Sequence, residues 1–287
     1  MAKFTKTLIA AGLLAAAATP AFAADYSGDI HKNDYKWFQF NVMHTIDQMP
    51  YKKSEGGYND TYFEMEFGGR SGIFDLYGYV DVFDIFDSKH SDKHDQENLF
   101  IKFAPRMSID ALTGKDLSVG PIKELYVASL FNAGGSHGSF ESFVGLGTDV
   151  EVPWFGKMGM NLYKRHVNES GSIYKSDNHT DPKNGTKFDT SGEGWNGYQF
   201  SITWFKPFYT FSNGSFVAYQ GYLDHLFDAE GTSTDGTNTF HGIYWHSERY
   251  AVGYGLKYFN DTYGIQNGAY GLQTTGFGHY FSATYKF

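Results

Sequence analysis

Carboxylates and tyrosines recur two residues apart along this chain. Tyr62, Glu64, Glu66 and Arg70 form one such run, and Asp75, Tyr77, Tyr79 and Asp81 form another. Lys102 with Arg106, then Glu124 with Tyr126, extend the pattern, and Asp149, Arg165, Asp224 and Lys257 add further charges to it. In extended backbone, residues two apart point to the same side, so each run presents one polar, partly aromatic face. The chemistry such a face offers is recognition. A tyrosine ring can stack on a nucleobase with about 1 to 3 kcal/mol per base, and a carboxylate can accept hydrogen bonds from sugar hydroxyls. A plainer reading stands beside it, in which the opposite charges neutralise each other as salt bridges inside a filled interior.

The elements that position these residues are legible from the other parity. Opposite Tyr62, Glu64 and Glu66 lie Phe63, Met65 and Phe67; opposite Asp75, Tyr77 and Asp81 lie Phe74, Leu76, Val80 and Val82. Leu99, Ile101 and Phe103 oppose Phe100, Lys102 and Arg106, and the same alternation returns at Tyr198–Trp204 and Val252–Tyr258. Bulky apolar groups on one side and polar or small ones on the other make strands set between lipid and water. About twelve such segments begin near residues 35, 60, 73, 98, 121, 139, 157, 195, 215, 239, 250 and 276. Long polar stretches follow several odd segments (84–97, 166–194, 226–238 and 260–275), and short links such as Gly68 to Gly72 and Ser247 to Arg249 follow even ones. The link from Ser108 to Gly120 is longer than a turn. In hydrocarbon each unpaired backbone group costs several kcal/mol, so these strands must close into a sheet without edges. The expected fold is an all-β, transmembrane, antiparallel up-and-down barrel of about 12 strands, with short periplasmic turns and long extracellular loops.

Composition agrees. Aromatic residues make up 19% of the chain, yet mean hydropathy is −0.42, as suits aromatic girdles around a polar interior. Lys3 and Lys6, the apolar stretch Leu8 to Ala18, Pro20 and the sequence Ala21-Phe22-Ala23 have the layout of a secretory signal. Residues 1–23 are therefore expected to be a cleaved signal peptide and residues 24–287 the barrel domain. The last segment alternates Phe281, Ala283, Tyr285 and Phe287 with Tyr280, Ser282, Thr284 and Lys286, and its terminal Phe resembles the insertion signal of outer-membrane barrels. A net charge of −9 disfavours a nucleic-acid polymer as partner, and with no cysteine no disulfide can staple the fold.

The blocks DTYFEMEFGGRSGIFDLYGYVDVF, KFAPRMSIDALTGKDLSVGPIKELYVA, GLGTDV and GLKYFND, with the close GFGHYFSATYKF, strongly resemble the Tsx-like nucleoside-specific channel family, nearest to its OmpK branch from vibrio-type bacteria. The resemblance runs over essentially the whole chain after residue 23 and is weakest in the loops. It implies a 12-stranded monomeric barrel in the Gram-negative outer membrane, passive uptake of nucleosides, and external loops used as bacteriophage receptors. Outer-membrane lipid and lipopolysaccharide, nucleosides and the barrel-assembly machinery are the partners it implies, without cofactors. The substrate-binding residues expected from parity are Tyr62, Glu64, Glu66, Arg70, Asp75, Tyr77, Tyr79, Asp81, Lys102, Arg106, Glu124 and Tyr126.

Other signals carry less. His90 and His94 beside Asp92 and Asp95 have metal-like spacing, but a loop rich in Ser, Lys and Asp fixes no geometry. Gly145-Leu146-Gly147 lacks the third glycine and helix of a dinucleotide fingerprint. Asp224 with His225, and His241 with His246, are acid–base or base pairs in name, yet both pairs differ in parity, and no Ser has a nucleophile-elbow context. No catalytic or metal residue is assigned. A barrel with a packed lumen serving a structural or adhesive role is the competing class, and an outer-membrane hydrolase a more distant one.

Overall fold

The computed structural model describes residues 26, 28–94, 98–134, 139–167 and 194–287, so residues 1–23 and Asp95 lie outside the described residues. Twelve strands form one antiparallel sheet: β1 (Tyr35–Gln48), β2 (Tyr58–Ser71), β3 (Phe74–Val82), β4 in two segments (Leu99–Phe103 and Arg106–Ser108), β5 (Ile122–Gly134), β6 (Ser139–Val152), β7 (Gly156–Val167), β8 (Gly194–Thr210), β9 (Phe216–Phe227), β10 (Gly236–His246), β11 (Tyr250–Asn260) and β12 (Gly276–Lys286). Each strand pairs with its sequence neighbours, and the ring closes where Gln39 of β1 faces Lys286 of β12. No sheet edge is left for lipid to meet, as solvation demands. The break in β4 falls at Pro105, which has no N–H to give the ladder. Its carbonyl still accepts from Ser129 N at 2.9 Å, and Ala104 N donates to Tyr77 O at 2.8 Å, so the wall stays sealed.

The two parities separate as their chemistry requires. Outward positions such as Leu146 (66% exposed), Leu162 (51%) and Val252 (52%) meet the surroundings, whereas inward Tyr126 is 0% exposed. Aromatic pairs mark both rims of the outer wall. Phe38 with Phe287 and Tyr250 with Tyr285 lie near the turn end, and Tyr198 with Phe227 and Tyr258 with Phe277 near the loop end.

The links keep the expected asymmetry. The turn after β2 is only Gly72-Ile73, with Gly72 at φ +54°. Gly68, expected within that link, instead lies inside β2, where a Cβ would come within 2.7 Å of the Trp37 ring. The link after β4 is folded: Ser108 caps α1 (Ile109–Thr113) by accepting from Ala111 N at 3.0 Å. Buried Asp110 then accepts from Leu117 N and Leu125 N, which pins the link beneath β5. At the loop end, the segments after β1 and β11 pair through Tyr51–Lys52 and Leu272–Gln273.

Candidate functional site

The inward residues sort by height into two layers. Nearer the turns, Arg70 of β2 donates to Glu124 Oε2 of β5 at 2.9 Å and to the Tyr126 hydroxyl. Arg106 of β4 donates to Asp149 Oδ1 of β6 at 3.0 Å and to Asp75 of β3, and its guanidinium lies 4.0 Å from the centre of the Tyr126 ring. Tyr126 Oη donates to Asp149 Oδ2 at 3.0 Å, and Lys157 Nζ of β7 sits 2.7 Å from the same oxygen. Tyr26, ahead of β1, enters this layer: its hydroxyl donates to Glu124 and accepts from Arg70 Nη1 at 2.9 Å. Here opposite charges satisfy each other, as the plainer reading of the sequence has it. Above this layer on the same side, Ala128, Leu130, Phe143 and Tyr163 pack together and fill the interior between β5 and β7.

The middle layer is built differently. Trp37 of β1, Tyr77 and Tyr79 of β3 and Phe100 of β4 form a continuous aromatic row, with ring centres 6.2, 6.2 and 6.0 Å apart in succession. Acceptors run beside it. Glu66 receives bonds from Gln39, Asn41 and Tyr77, the last at 2.9 Å, and Glu64 receives Asn41 Nδ2 at 2.6 Å. Asp81, buried at 6% exposure, stands opposite Glu64 in the β2–β3 register. Tyr62 packs with Met43 and Tyr280, and against Phe83 and Phe240.

On the facing wall Tyr222 of β9 stacks on Phe240 of β10 at 6.0 Å, and Phe240 meets Tyr280 of β12 edge-on at 5.7 Å. Gly255 of β11 makes room, since a Cβ there would fall 2.1 Å from the Phe240 ring. Lys257 Nζ lies over Phe259, Tyr280 and Tyr222 at 4.7, 5.6 and 5.9 Å. The walls meet at Lys102 of β4, whose Nζ is 3.5 Å from Asp224 Oδ2 of β9 and 5.6 Å from the centre of the Tyr222 ring.

All twelve parity-derived residues therefore make inward contacts or lie on inward register positions. Arg70, Asp75, Arg106, Glu124 and Tyr126 gather in the lower layer, and Tyr62, Glu64, Glu66, Tyr77, Tyr79, Asp81 and Lys102 in the middle one. Sequence reasoning placed Tyr280 on the polar face of the last segment without assigning it to the site, and did not single out Tyr26, Trp37, Lys157, Tyr222 or Phe240. Lys157 shares parity with Arg165 and Tyr222 with Asp224, a signal that would have found both.

The minor signals resolve simply. Asp224 points inward, whereas His225 bonds Thr237 on the other face. His241 pairs with Tyr219 at 2.6 Å, apart from His246, which meets Gln220 at 3.0 Å. In the loop after β3, His94 lies 3.0 Å from Asp87 and 3.6 Å from Asp84.

The chain has relatives among known proteins. NanC porin covers 87% of this chain and 98% of its own with a TM-score of 0.45 and 9% identity. The outer membrane protein OmpK of Vibrio parahaemolyticus is 53% identical over 286 residues, spanning 98% of this chain and 99% of that one. The nucleoside-specific channel-forming protein Tsx of Salmonella typhimurium is 27% identical over 300 residues, spanning 96% and 99%. The profile of the family described as "Nucleoside-specific channel-forming protein, Tsx" matches residues 32–287. The chain is thus a channel-forming barrel of the Gram-negative outer membrane, not an enzyme, and it belongs to the Tsx family.

Proposed function

We propose that the protein carries nucleosides across the outer membrane by passive diffusion through its lumen. The observation that carries this reading is the aromatic row Trp37, Tyr77, Tyr79 and Phe100 with Glu64 and Glu66 alongside. Every nucleobase has a face to stack, and each sugar has hydroxyls that a carboxylate can accept. Evenly spaced rings offer several weak positions in place of one deep well, and conduction requires sites that release as readily as they bind. The Tsx relatives, named for nucleosides, support the same substrate.

In this reading residues 1–23 are removed as a signal peptide, and the barrel-assembly machinery inserts the chain. The long loops offer a landing surface to bacteriophage. Purified protein in a planar bilayer is expected to give small single-channel currents that adenosine or thymidine lowers. Currents indifferent to both nucleosides would remove the substrate, and a silent bilayer would favour a packed, structural barrel.

A further inference from the structure

We infer that Lys102 is a specificity-determining arm of the lumen, reaching across it to Asp224 so that this single ion pair sets the width of the passage beside the aromatic row. Between β4 and β9 the ring interposes four strands on one side and six on the other, so the two residues belong to nearly opposite walls. A round barrel of twelve strands tilted by about 40° and spaced about 4.8 Å apart has a backbone diameter of roughly 24 Å. A lysine and an aspartate side chain together reach only about 10 Å. Their 3.5 Å approach therefore requires the barrel to be flattened at this height, with the pair spanning its narrow dimension.

The two partners are held unequally. Asp224 Oδ1 accepts from Ser201 Oγ at 2.6 Å and from Gln199 Nε2 at 3.3 Å, both on the adjacent strand β8. The carboxylate is thus fixed to its wall. Lys102 reaches it at the long end of hydrogen-bonding range and otherwise rests near the Tyr222 ring. A lysine has a flexible four-carbon stem and a compact charge, so the arm is the part that can swing. Arg106, four residues further along the same strand, contrasts with it: it is held between Asp75 and Asp149 and has no such freedom.

One consequence follows for what passes. An uncharged solute with vicinal hydroxyls can take the place of the ammonium on Asp224 as the arm swings aside, the carboxylate keeping its hydrogen bonds and the ammonium its place by the Tyr222 ring. This consequence rests on the nucleoside reading; the width of the passage does not.

The test compares three variants of the full-length protein in planar bilayers: Lys102→Met, Asp224→Asn, and the exchange Lys102→Asp with Asp224→Lys. Unchanged heat-modifiable migration in gels selects variants that fold. If the pair spans the passage, both single variants raise potassium chloride conductance by about twofold, because pore diameter and lining charge set conduction, and the exchange restores the small wild-type current. A simple field effect of lining charge would instead move the two single variants in opposite directions, and that result would overturn the inference. So would conductances equal to wild type. Adenosine block is read on the same channels, and Lys102→Met is expected to bind adenosine several-fold more tightly, since Asp224 is released. Should adenosine leave even the wild type untouched, the substrate falls while the conductance comparison still decides the fate of the bridge.

Discussion

The lower and middle layers of the lumen are made from the same residue types and do different work. In the lower layer Asp149 alone meets Arg106, Lys157 and Tyr126, all within 3.0 Å. In the middle layer Lys102 and Asp224 meet once, at 3.5 Å, and Lys257 is surrounded by rings. A network with every partner in place resists change, because any movement exposes an uncompensated charge. Sparse pairing among aromatic faces gives a solute something to exchange with. How completely a lumen charge is partnered, more than its mere presence, separates scaffold from passage.

The sharpest way to break this contrast is Arg106→Ala. It takes one partner from each of two carboxylates, leaving Asp149 with Lys157 and Tyr126 and Asp75 with Arg70 at 3.9 Å, and the expected loss is about 3 to 5 kcal/mol of stability, read as a lower midpoint in urea unfolding from detergent. A loss no larger than that of Lys102→Met would erase the distinction between the layers. Next in size is Tyr77→Ala, expected to weaken adenosine block about tenfold, in line with a stacking contribution of 1 to 3 kcal/mol. Val80→Ala, on the outer parity of the same strand, should leave block alone, and equal effects would show that the row is not the path.

The smallest effect concerns the turn between β2 and β3. Desolvation pushes the Asp34 carboxyl up, but the Gly72 N–H, His31 and Ser71 together outweigh it and hold the carboxyl below its ordinary range. A carboxylate lowered in the folded state contributes above its unfolded range and stops contributing as pH falls through its folded value. The protection factor for amide exchange at Gly72 should therefore be high at neutral pH and fall in acid. Asp34→Asn should remove that pH dependence.

Much of the architecture could be read from sequence because lipid and water impose opposite demands on alternate residues. Expected starts near 35, 139, 250 and 276 coincide with β1, β6, β11 and β12, and the terminal Phe287 packs on Phe38 and Phe40 at the seam. Parity also separates inward from outward residues, but it carries no information about height or about what lies across the lumen. For that reason Arg70 and Glu64 looked equivalent in the sequence, though one is locked to Glu124 and the other lines the middle layer. The meeting of Lys102 with Asp224, 122 positions apart, depends on the flattening of the ring, which no local pattern encodes. Pro105 and Gly68 mark local departures set by a missing N–H and by the bulk of Trp37.

The pairing of β1 with β12 also has a bearing on how the molecule is made. The first strand to leave the ribosome must wait for the last before either has both of its neighbours, and a partial sheet would carry two raw margins into oil. Closure is therefore a late event, complete only when β1 and β12 meet. Without β12, the facing margins of β1 and β11 would be left bare.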